Sequence, residues 1–230
     1  GLLVVNILRQ DLMDPNPQIR STAVSTICTL PGLSEHAIGA IQSGLKDSNP
    51  RVRKAAVTGC GKLWTNDVES VVENGLVDVL YATIRDPDPI VMSFAMQTLN
   101  FILADEGGIV INKQIALFLL KRLPDLPEAE FCFVLEYLTE KYSPDTDELR
   151  LRFMNALDAY VNDTSSGPVL LSTAKFFYRI VADFERLADD FLINFARQIP
   201  RTMKGHRDFQ VQMLDFLDAI PEERLSRHLS

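Results

Sequence analysis

Histidine, cysteine and tryptophan are scarce in this sequence of 230 residues, and each scarcity excludes something. The histidines are His36, His206 and His228, none with a second His or Cys at ligand spacing, so zinc binding and imidazole acid–base chemistry have little material. Cys28, Cys60 and Cys132 contain no CxxC pair and are odd in number, which predicts buried, reduced thiols in a cytosolic setting rather than a disulfide framework. No run approaches the roughly 18 apolar residues that span a bilayer, since the stretch from Ile115 to Leu120 is soon broken by Lys121 and Arg122. A phosphate loop is also missing: Gly39-Ala40-Ile41-Gln42-Ser43-Gly44-Leu45-Lys46 has Leu45 where Lys is required, and its glycines are expected to let helices pack closely instead. Acidic pairs such as Asp189-Asp190, Glu222-Glu223 and Glu128/Glu130 read as solvated helix faces, because nothing around them builds a pocket that would raise one carboxylate's pKa. The sequence therefore predicts no catalytic residue, no metal ligand and no cofactor site.

The composition, 47% hydrophobic and 23% charged, is that of a chain able to fold around a core. A formal charge of −8, from 31 acidic against 23 basic residues, repels nucleic acid and anionic lipid on average, so either contact would need a local basic patch. The apolar start, Leu2 to Ile7 without a basic lead, reads as helix rather than signal peptide, and the chain is expected to be a fragment of something longer. Asn162-Asp163-Thr164 matches a glycosylation sequon only by chance in a cytosolic protein.

What the sequence has in quantity is an internal repeat. Asp14-Pro15-Asn16-Pro17-Gln18-Ile19-Arg20 recurs as Asp47-Ser48-Asn49-Pro50-Arg51-Val52-Arg53 and, more weakly, as Asp86-Pro87-Asp88-Pro89-Ile90-Val91-Met92. Such spacing suits two-helix solenoid units. Proline fits a first helical turn and pushes the residue before it out of the α region, so each copy ends one helix and begins the next. The Asn or Asp ahead of it can accept from free N–H groups of the new helix. The pairs Ile19/Ala23, Val52/Ala56 and Val91/Ala95 then set a small residue where two helices must approach. Apolar helices are expected before each motif, at 2–13, 37–46 and 72–85, and after each, at 19–30, 52–64 and 91–103. Beyond residue 104 the motif fades while the helical period persists, predicting helices near 112–123, 127–142, 146–161, 167–184, 187–199 and 206–220. Phe131, Phe133, Phe176 and Phe177 fall at core spacing within them.

These features predict an all-α, HEAT/armadillo-like right-handed α-α superhelix with no sheet. It is read as one solenoid over 1–230, with three clear repeats in 1–105 and divergent repeats in 106–230. Arg20 and Arg53 hold matching positions, six residues after Asp14 and Asp47, and are read as an Asp–Arg ladder between repeats. On the helix after Pro50, Val52, Ala56, Cys60 and Leu63 share one face, which leaves Arg51, Lys54 and Lys62 on the other. That basic stripe on an acidic chain is the candidate partner-binding surface, facing an acidic subunit, a small GTPase or anionic lipid.

The run from Asp47 to Leu63, the run Val134-Leu135-Glu136-Tyr137-Leu138-Thr139-Glu140-Lys141-Tyr142-Ser143-Pro144-Asp145, and the run from Pro168 to Phe177 together resemble the N-terminal trunk of beta-adaptins. The resemblance covers nearly the whole chain. It implies a non-catalytic scaffold of a vesicle-coat adaptor complex that pairs with a medium, a small and a second large subunit and aids cargo sorting in intracellular protein transport. It further implies a cytoplasmic protein, peripheral on Golgi, endosomal or plasma membrane coats, with contacts to a small GTPase, clathrin or accessory proteins through other parts. The alternative is a HEAT/armadillo carrier for other proteins, as in nuclear transport; such carriers present repeated Trp and Asn along a groove, whereas Trp64 stands alone here.

Overall fold

The computed structural model describes residues 2–161, 165–181 and 207–219, and every regular element among them is helical. The contacts divide the chain into two compact units, Gly1–Val110 and Ile111–Ser230.

In the first unit the order is α1 (Leu2–Asp11), α2 (Pro17–Ile27), α3 (Ser34–Gly44), α4 (Pro50–Asn66), α5 (Val68–Glu73), α6 (Leu76–Thr83) and α7 (Pro89–Ile102). The Asp-x-Asn/Asp-Pro turns start α2, α4 and α7 by one shared device. Asp14 accepts the Asn16 N–H at 2.7 Å, Asp47 that of Asn49 at 2.8 Å and Asp86 that of Asp88 at 2.8 Å. Asn16, Asn49 and Asp88 in turn accept from Gln18, Arg51 and Ile90, each at 2.9 Å, and proline at the first helical position has no N–H to satisfy.

The helices so started pack side by side, α2 on α4 and α4 on α7, with α3 and α6 behind them. The faces turned inward are those expected from the wheel: Val52 is 1% exposed, Ala56 and Cys60 0% and Leu63 3%. Small residues decide the spacing. A methyl group at Gly44 would sit 2.9 Å from the Ala56 Cβ, so these two positions are the contact of α3 with α4. Gly39, by contrast, is exposed with open space around it and serves no close packing, so only one of the two glycines in that segment works as expected. At Gly59 an added methyl would meet the Cys28 Sγ at 2.7 Å and its Cβ at 3.3 Å. Gly59→Ala should therefore destabilise the unit by about 2 kcal/mol through overpacking. The double variant with Cys28→Ala, measured by chemical denaturation, should be more stable than Gly59→Ala alone; additive losses would show that Cys28 is not the obstacle.

One expected element differs. Residues 72–85 do not form a single helix, because the chain breaks at Asn74 and Gly75, the latter at φ +62, into α5 and α6. Asp67 starts α5 by accepting from the Ser70 N–H at 3.0 Å and the Ser70 hydroxyl at 2.7 Å. Cys28 and Cys60 are buried as expected, and burial pushes both thiols up to about 12, which makes them unreactive at neutral pH. Cys132 is only half-buried.

The second unit contains α8 (Lys113–Arg122), α9 (Glu128–Lys141), α10 (Asp147–Leu157), α11 (Gly167–Val181) and α12 (Arg207–Asp218). Its core is aromatic: Phe153 stacks on Phe176 with centroids 5.3 Å apart, and Phe131 lies 4.7 Å from Tyr160. Phe177 is buried as well, while Phe133 keeps partial exposure. The helix expected at 187–199 and the sequon at Asn162 lie outside the described residues.

Candidate interaction surface

Two arrangements of charge in the first unit demand separate readings. The first is the Asp–Arg ladder. Arg20 donates from Nε and Nη2 to the two carboxylate oxygens of Asp47, both at 2.8 Å, and Arg53 does the same to Asp86 at 2.8 and 2.9 Å. Each guanidinium also donates from Nη1 to backbone carbonyls of its own turn, Asp14 and Pro15 for Arg20, and Asp47 and Ser48 for Arg53. One planar fork thus ties the turn of one repeat to the turn of the next. The hydrogen bonds from Arg20 hold the Asp47 carboxyl below the usual carboxylate range. In the third repeat Met92 stands where the arginine would, is fully buried, and the ladder ends there. These charges are consumed by structure.

The second arrangement is the basic stripe. Arg51 and Lys62 are exposed and Lys54 half-buried, and all three line a groove of about 490 Å³ between α2 and α4. Among the described residues none of them is ion-paired with a carboxylate. Arg51 donates to the Gln18 side-chain oxygen, and the Lys54 ammonium sits 3.8 Å from the centroid of the Phe94 ring on α7. The helical wheel of α4 placed the three cations on one line. It did not reveal the facing wall, where Thr22, Ser25 and Thr26 of α2 and Thr29 of the turn after it present a row of hydroxyls. Their spacing of three and four residues was the available signal, but only the packing of α2 on α4 makes them and the cations two sides of one groove.

Among the described residues no cluster of three His, Cys, Asp or Glu side chains could hold a metal ion, and no helix is long and apolar enough to cross a membrane. His36 is half-buried and far in sequence from His206 and His228, which lie outside the described residues; Glu128 is exposed. What the geometry offers is surface: stacked helices, a ladder that fixes their register, and a groove with hydroxyls on one wall and, on the other, cations that no carboxylate of the described residues pairs.

A family model described as the adaptin N-terminal region matches residues 1–223. The chain belongs to the adaptin N-terminal region family. Similar proteins include the AP-4 complex subunit beta-1 of Mus musculus, 37% identical over 195 residues, which are 84% of this chain and 26% of that protein. The AP-4 complex subunit beta of Dictyostelium discoideum is 32% identical across 82% of this chain and 22% of its own length. The AP-1 complex subunit beta-1 of Homo sapiens is 28% identical across 97% of this chain and 24% of its own length. The chain thus spans about a quarter of the length of these relatives. The helical, strand-free architecture of the described residues agrees with the adaptin N-terminal region, which is of helical solenoid type.

Proposed function

We propose that this chain is a non-catalytic scaffold portion of the beta subunit of a vesicle-coat adaptor complex. It holds sister subunits, a medium, a small and a second large chain, and aids cargo sorting in intracellular vesicle transport. The observation that carries this reading is the adaptin match across residues 1–223, joined by relatives whose names place them as beta subunits of AP-4 and AP-1 complexes. The residues support it physically, since stacked helix pairs give extended surface for gripping proteins. Recruitment to Golgi, endosomal or plasma membrane coats is then peripheral and follows from the assembled complex, with a small GTPase and clathrin engaged largely by other parts.

The test is affinity capture. The tagged chain is incubated with cytosolic extract, and the co-purifying proteins are identified by mass spectrometry. Recovery of medium and small adaptor chains is the expected result. Recovery of nuclear transport factors without adaptor chains would overturn it in favour of a carrier role.

A further inference from the structure

The geometry points to the groove between α2 and α4 as the docking site for an extended acidic segment of another polypeptide. The inference rests on the chain being a protein-binding scaffold, and it assigns that role to particular atoms.

The cations form a line rather than a cluster. At about 1.5 Å per residue, Arg51 and Lys62 stand ~16 Å apart along α4, with Lys54 between them. A single phosphate or headgroup cannot meet charges so spread, whereas about five residues of extended chain cover that length. Carboxylates on such a segment would meet cations that no carboxylate of the described residues now occupies. Asp88, which borders the neighbouring depression with Arg51 and Lys54, is engaged otherwise: its Oδ1 accepts from the Ile90 and Val91 N–H groups.

The opposite wall selects between an acidic peptide and a free or lipid phosphate. Thr22 donates its hydroxyl proton to the Gln18 carbonyl at 2.9 Å, Thr26 to that of Thr22 at 2.8 Å, and Thr29 to that of Thr26 at 2.7 Å. With the protons turned back into α2, these oxygens face the groove as acceptors. The ionised oxygens of a phosphate are acceptors, which these hydroxyl oxygens do not complement. An extended peptide offers backbone N–H groups to the hydroxyl wall and carboxylates to the cation wall. Lys54 borders both this groove and the depression toward α7, and its ammonium, which rests over the Phe94 ring, is engaged by no carboxylate of the described residues.

The test uses the full chain and three probes: a fluorescein-labelled peptide of about eight residues alternating Glu and Ser, inorganic polyphosphate, and phosphatidylserine vesicles. Fluorescence anisotropy should show peptide binding that weakens at least about tenfold in R51E/K54E/K62E and about threefold in T22V/T26V, which removes two acceptors without altering charge. Helical content and melting temperature are read on each variant. Should the triple variant fail to fold, T22V/T26V and Lys62→Glu alone carry the test, with weakened peptide binding still expected. Absence of peptide binding, equal binding of polyphosphate with no effect of T22V/T26V, or binding of vesicles in place of peptide would each overturn the assignment. Capture of adaptor chains by a protein that ignores the peptide would sink this inference alone. Failure to capture them would sink the coat reading.

Discussion

Ala56→Asp should abolish cooperative folding of the Gly1–Val110 unit or lower its melting temperature by about 20 °C. Ala56 is fully buried on α4, and its Cβ lies where α3 presents Gly44, with no room for a side chain on either helix. An aspartate there would need to bury an ionised carboxyl without a partner and to force α3 away from α4. Removing an unpaired charge from water costs at least about 4 kcal/mol even after local relaxation, and the added volume adds to that. Circular dichroism during heating checks the result. A variant that melts within a degree or two of the parent would show that Ala56 does not face α3 and that the repeat register is wrong.

Arg53→Met should be the second most damaging single change. Methionine is the residue the third repeat itself carries at this position, so the helix tolerates its shape. What is lost is the fork that spans Asp86 and the Asp47–Ser48 turn. The Asp86 side chain is only 7% exposed, and without Arg53 it keeps the Asp88 N–H at 2.8 Å but loses both guanidinium donors. Stranding that carboxylate should cost about 2–3 kcal/mol, somewhat below a fully buried pair because Arg53 keeps 13% exposure. Denaturant unfolding would measure it, and a change under about 0.5 kcal/mol would mean the ladder is ornamental. The rung at Arg20 adds a pH signature. Asp47 has its pKa lowered chiefly by Arg20, so its contribution to stability is present above the unfolded value of about 3.9 and is lost as pH falls through the lower folded value. The stability difference between the parent and Arg20→Met should therefore be full at neutral pH and shrink in acid.

Much of the first unit was legible because its punctuation is local. Pro17, Pro50 and Pro89 each open a helix with an Asn or Asp cap immediately before, and every hydrogen bond that cap's side chain accepts closes within three residues. The break between α5 and α6 was local too. Its signals were Asp67 with Ser70 and then Asn74-Gly75, yet the apolar period running through Val71, Leu76 and Leu80 concealed them. Gly39 and Gly44 look alike as letters and differ entirely in environment, because space around a residue belongs to the neighbouring helix, not to its own.

The sequence by itself determined that the chain is helical, where the repeats turn, which face of α4 is apolar, that Arg51, Lys54 and Lys62 share the other face, and which family it resembles. Those properties follow from backbone chemistry and from the 3.6-residue period, which act within a few residues along the chain. Only the tertiary structure decided the partners across repeats. It showed that Arg20 reaches Asp47 and Arg53 reaches Asp86, that Lys54 lies on Phe94, and that the hydroxyls of α2 face the cations of α4. Such pairings depend on how far and at what angle one helix sits on the next, and that is set by the packing of small residues such as Gly44, Ala56 and Gly59 against their neighbours.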